Sequence, residues 1–66
     1  MEYKIKATKK QLETIGISYN IHNLIGVLKN KYPTGWFCLN VKHKIGNREF
    51  TNDFDIPKSF LEKVKK

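Results

Sequence analysis

Two runs that alternate apolar and polar residues, 36–45 and 48–56, are separated by the dipeptide Gly46-Asn47, and no other feature constrains the chain as tightly. Glycine and asparagine tolerate the positive φ that a primed two-residue turn demands, so the runs predict an antiparallel hairpin. With Ile45 opposite Arg48, the pairs are Lys44 with Glu49, His43 with Phe50, Lys42 with Thr51, Val41 with Asn52, Asn40 with Asp53 and Leu39 with Phe54. One face then collects Phe37, Leu39, Val41, Phe50, Phe54 and Ile56, and the other Cys38, Asn40, Lys42, Lys44, Glu49, Thr51, Asp53 and Asp55. A slip of one residue would bury the charges and expose the aromatics, so the pattern selects the same register as the turn.

Around this hairpin the periodicity changes. Tyr3, Ile5 and Ala7 recur at every second position, which predicts a strand at 2–7. Thr8 suits the cap of a short helix running through Ile15 and stopped by Gly16. A strand at 13–19, in which Glu13, Ile15, Ile17 and Tyr19 alternate, competes with that helix. Ile21, Leu24, Ile25 and Leu28 follow the i, i+3, i+4, i+7 rule and predict a second helix over 20–31, capped by Ser18 or Asn20 and closed by Tyr32-Pro33-Thr34-Gly35. Asp55 before Ile56-Pro57 reads as the start of a last helix that returns Phe60, Leu61 and Val64 to the core. The expected fold class is α+β: a single small domain over residues 1–66, in the order β-α-α-β-β-α with a long antiparallel hairpin.

Charge then narrows the partner. Thirteen Lys and Arg against six Asp and Glu give +7 and a pI near 9.7, which puts a polyanion first. A chain of 66 residues holds one thin core and no deep catalytic cleft. Gly16, Gly26, Gly35 and Gly46 each stand alone, so there is no phosphate loop, and no paired acids or Ser-His-Asp spacing appear. His22, His43 and Cys38 form no metal-ligand motif, and Cys38 and His43 fall on opposite hairpin faces. Cys38 is the only cysteine, which excludes an internal disulfide, and its position beside Asp55 disfavours the thiolate. Charge alternates with apolar residues from Met1 to Lys6 as in no signal peptide, and no run is long enough to span a bilayer. These readings predict a cytoplasmic or host-cell cytoplasmic protein that is not an enzyme and has no cofactor, metal, membrane or small-molecule substrate.

The segment Lys10-Gln11-Leu12-Glu13-Thr14-Ile15-Gly16-Ile17-Ser18, followed by the amphipathic stretch, resembles the turn of a helix-turn-helix. With the hairpin as a wing, the order is similar to small winged-helix proteins such as phage excisionases and other mobile-element regulators. That resemblance implies that Asn20, His22 and Asn23 face the major groove while Lys42, Lys44 and Arg48 on the wing bind phosphates. Lys9, Lys10, Lys29 and Lys31 extend the basic surface. Lys44 faces Glu49 and Lys42 lies diagonal to Asp53, whereas Arg48 at the tip lacks such a partner. Trp36 and Tyr32, flanking the turn before the hairpin, are candidates for stacking a base of a single strand. The expected function is a small non-enzymatic nucleic-acid-binding accessory or regulatory module, phage or mobile-element encoded, that holds DNA mainly by its phosphates. The competing expectation is a protein-binding module, such as a small inhibitor or assembly subunit, acting through an edge strand or the Asn20-Asn23-Val27 helix face.

Overall fold

A computed structural model describes residues 1–65 and places five strands in one antiparallel sheet: β1 (Glu2–Ile5), β2 (Ile25–Lys31), β3 (Trp36–Ile45), β4 (Arg48–Pro57) and β5 (Leu61–Lys63). Their order across the sheet is β4-β3-β2-β1-β5, which leaves β4 and β5 as its edges. One short helix, α1 (Lys9–Thr14), lies between β1 and β2, and a 3-10 turn at Lys58–Phe60 joins β4 to β5. The predicted α+β class, with its β-α-α-β-β-α and winged-helix-like order, is therefore overturned: neither the second helix nor the last one exists.

The hairpin has the predicted register, from Ile45 opposite Arg48 to Phe37 opposite Ile56, with Gly46 at a φ of +61°. α1 also follows its sequence signals. Thr8 caps it in a capping box, its Oγ1 accepting from the Gln11 N–H at 3.1 Å while the Gln11 side chain accepts from the Thr8 N–H at 2.9 Å. Gly16, at φ +84°, ends it, and the competing strand at 13–19 does not form.

Residues 20–31 are a loop and then β2, for three reasons that the apolar spacing conceals. Asn23 sits in the left-handed region at φ +66°, which no helix interior accepts. Ile25 and Val27 are β-branched and suit a strand, and Gly26 would weaken a helix by about 1 kcal/mol. Above all, Gly26 lies flush on β3: a Cβ there would stand 2.9 Å from Val41 Cγ2 and 3.0 Å from Leu39 Cβ. The predicted stripe splits accordingly, with Ile21 buried, Leu24 and Leu28 half-buried and Ile25 exposed.

The tail is extended because β1 offers it an unpaired edge. Ile5 pairs with Leu61, Lys4 with Glu62 and Tyr3 with Lys63, and the Val64 N–H donates to the Glu2 carbonyl at 3.0 Å. A helix of some eight residues starting at Pro57 would be marginal by itself, whereas the ladder satisfies its backbone at once. Pro57 closes β4 on the sheet's outer edge, where no N–H is needed.

One cluster fills the inner face of the sheet: Tyr3, Ile5, Phe37, Leu39, Val41, Phe54, Ile56 and Leu61 from the strands, covered by Ala7, Leu12, Ile17 and Ile21. Tyr3 meets Phe37 edge to face at 5.3 Å. Leu39→Ala removes a fully buried side chain from this single layer, and denaturation by urea is expected to show a loss of about 2–5 kcal/mol. Gly26→Ala is expected to cost about 1–3 kcal/mol in the same measurement, because the new methyl would press on two packed side chains and, at 3.3 Å, on the Asn40 carbonyl. A Gly26→Ala variant as stable as the parent would show that β2 does not approach β3 this closely.

Candidate functional site

β2 begins at Ile25 and its pairing with β3 reaches only to Gly26 opposite Val41, so the hairpin runs on beyond it as a two-stranded ribbon. Every residue from Lys44 to Asp53 is exposed. On the face that continues the core, the ribbon presents Ile45 at 51% exposure, Phe50 at 40% and Arg48. Tyr19, 41% exposed, reaches onto this face from the loop after α1, its ring 5.1 Å from His43 and 5.6 Å from Phe54.

His43 lies beneath these rings, only 3% exposed, with Phe54 at 5.7 Å and Phe50 at 6.2 Å. Its Nε2 is 2.8 Å from Asn52 Oδ1, which as an acceptor selects the tautomer whose Nε2–H donates. That leaves Nδ1 as a buried lone pair with no partner among the described residues.

On the opposite face Lys42 and Lys44 alternate with His43. The structure corrects the expected pairing: Lys42 Nζ, not Lys44, meets Glu49 Oε1, diagonally at 3.0 Å, and Asp53 Oδ1 accepts from Asn40 Nδ2 at 2.8 Å. Among the described residues, the side chains of Lys44 and Arg48 make neither an ion pair nor a hydrogen bond. A recess of about 350 Å³ between the free edge of β3 and the preceding loop is lined by Asn20, Leu24, Lys42, His43, Lys44 and Glu49.

Of the residues singled out in the sequence, the structure brings Asn20, Lys42 and Lys44 together here and puts Arg48 at the tip. The others lie elsewhere. Asn23 and His22 occupy a turn, where the Asn23 N–H donates to the Ile5 carbonyl at 2.7 Å, so no helix carries Asn20, His22 and Asn23 into a groove. Lys29 is the extra residue of a β-bulge, and Lys31 lies over the Phe37 ring at 5.5 Å. Lys31 is eight residues along the sheet from the ribbon tip, roughly 25 Å away. Lys9 and Lys10 occupy the first turn of α1.

Tyr32 and Trp36 also depart from expectation, because they share a cleft with Pro33, Thr34 and Asp55, and a carboxylate there repels a phosphate backbone. Tyr19, Ile45 and Phe50 were not read as site residues. Phe50 has the right parity for the core, and nothing local to it reveals that the ribbon outruns the core.

Cys38, opposite Asp55, has its thiol pushed up by burial first and then by the charges of Asp55 and Asp53, with a hydrogen bond from Tyr32 acting the other way. The Tyr32 phenol is raised chiefly by its hydrogen bond to Asp55. Among the described residues no three His, Cys, Asp or Glu converge as a metal site, and no helix is long and apolar enough to cross a membrane. No family model, curated protein or solved structure matches the chain.

The raised thiol gives a direct test. Iodoacetamide at pH 7 is expected to alkylate Cys38 more slowly than a cysteine in an unstructured peptide, with Asp55→Asn restoring part of the rate. A rate at or above the peptide's would contradict the environment described.

Proposed function

We propose that the chain is a non-catalytic module that binds single-stranded nucleic acid on the distal ribbon, in a cytosolic setting and in an accessory or regulatory role. The observation that carries this reading is the pairing of exposed aromatic rings, Tyr19 and Phe50, with cations that no acid of the described residues neutralises, Arg48 and Lys44. Stacking on aromatic faces beside a basic track is the general chemistry of single-strand binding, tolerant of sequence because every base has a π face. Duplex reading loses its support with the absent recognition helix. Arg48 and Lys44 then hold phosphates, and Asn20 in the recess offers both donor and acceptor groups to a base edge.

The test is a fluorescence-anisotropy titration of the full chain with single-stranded DNA, single-stranded RNA and duplex DNA, each at two salt concentrations. The single strands are expected to bind more tightly than the duplex. Phe50→Ala should weaken single-strand binding by about 1–3 kcal/mol with little change in salt dependence. Arg48→Ala should make the salt slope shallower by about 0.7 on logarithmic axes, the value for one phosphate contact on a single strand. Lys31→Ala, at the far end of the sheet, should leave both quantities as they are. Failure of every nucleic acid to bind at low salt, or ribbon variants that bind like the parent, would overturn the reading.

A further inference from the structure

The acids are segregated. Three of the six, Glu49, Asp53 and Asp55, stand on β4, together with one cation, Arg48. Glu49, Thr51, Asp53 and Asp55 all project to the same outer face, since successive strand residues alternate. Lys63 of β5 lies four strand spacings away, about 19 Å, which is more than two Debye lengths at physiological ionic strength. Lys42 and Lys44 stand one strand away on this same face and Lys42 pairs with Glu49, so the negative local field of the edge is confined to its Asp53 and Asp55 end, where, after burial, both carboxylates also push the Cys38 thiol up.

This edge also has unpaired backbone. The Leu28 N–H donates to the Met1 carbonyl at 2.9 Å, away from β3, so Leu28 and Leu39 face each other without exchanging hydrogen bonds. Leu39 then directs its backbone groups to Phe54, and by alternation the N–H and C=O groups of Glu49, Thr51, Asp53 and Asp55 point outward. Among the described residues, no backbone hydrogen bond from outside the hairpin reaches β4. At its Pro57 end the cleft of Tyr32, Pro33 and Trp36, about 600 Å³, opens beside Asp55.

We propose that β4 is a docking edge for an extended basic segment of another protein, which adds as a sixth, antiparallel strand. Its backbone pairs with Glu49, Thr51, Asp53 and Asp55. Cations at its first and third positions stand opposite Asp55 and Asp53, and the first also meets the aromatic faces of Tyr32 and Trp36. Strand addition draws affinity from the main chain and specificity from alternate side chains, and here charge sets the specificity. Asp53 and Asp55 repel a phosphate backbone, so this end of the edge is distinct from the ribbon tip.

Trp36, the only tryptophan, reports on the cleft. The experiment titrates the full chain with an acetylated Lys-Thr-Lys-Thr-Thr-Thr-Thr peptide, its Lys-to-Glu counterpart, and the lysine peptide N-methylated at alternate backbone nitrogens. Saturable binding of the first alone, with a change in Trp36 emission, is expected. Asp53→Asn with Asp55→Asn should weaken it at least about tenfold, as loss of close charge pairs does. Circular dichroism checks that this variant is folded, and Arg48→Ala should bind the peptide as the parent does. No binding, equal binding of the glutamate peptide, or binding that survives N-methylation would overturn the proposal. Concentration-dependent self-association abolished by the same double variant would also overturn it, in favour of a second copy on this edge.

Discussion

The sheet depends on the absence of a side chain at residue 26. β2 is its central strand, and at that position its inner surface meets Tyr3 on one side and Val41 on the other, with Leu39 close by. The volume a β-carbon would need is already filled by Val41, Leu39 and the Asn40 carbonyl of β3, so β1 and β3 flank β2 with large residues on either side of a glycine. Tyr3 accordingly reaches Phe37 edge to face, and the two outer pairs of strands act on one cluster instead of two. A helix over the same residues would have buried Ile25 and left β1 and β3 without a strand between them.

Where β2 begins also decides what is exposed. The left-handed Asn23 turn, and the bond from the Ile5 N–H to the Leu24 carbonyl at 2.8 Å, set the strand start at Ile25. Had β2 begun a few residues earlier, it would have covered His43 to Ile45 and the ribbon would have become ordinary sheet. The candidate interface is thus a consequence of one strand being shorter than its neighbours.

This explains what could be read from the chain and what could not. The hairpin was legible because turn and alternation are both local and agree, and α1 because Thr8 and Gln11 cap it within four residues. Arg48 could be singled out for the same reason, since its lack of an acid partner follows from pairing within the hairpin, whereas Lys44 was expected to face Glu49 and is left without it by the diagonal preference of Glu49 for Lys42. Residues 21–28 satisfied a helical period while their strand alternation was hidden, since one of its two inward positions is a glycine. The tail was illegible because the edge that captures it lies at the other end of the chain. Tyr19 and Phe50 became visible as surface only with the length of β2.

The exposed ribbon carries an energetic consequence for anything that binds it. Two strands without a third are marginal in water, and beyond Val41 this pair is held mainly by the turn, the exposed Lys42–Glu49 pair and the packing of Tyr19, Phe54 and Phe50 around His43. A buried Nδ1 with no partner among the described residues weakens that nest further, because its hydration is lost and none of them replaces it. A base stacked on Tyr19 or Phe50 would therefore also order the ribbon on which it rests, and the ordering subtracts from the affinity that stacking supplies. The β4 edge is different near Asp55, where the ribbon has rejoined the sheet and the backbone is already fixed by Cys38 and Phe37 across the strands. Of the two surfaces, the one with aromatics and cations is thus the adaptable one, and the one with aromatics and acids is preorganised.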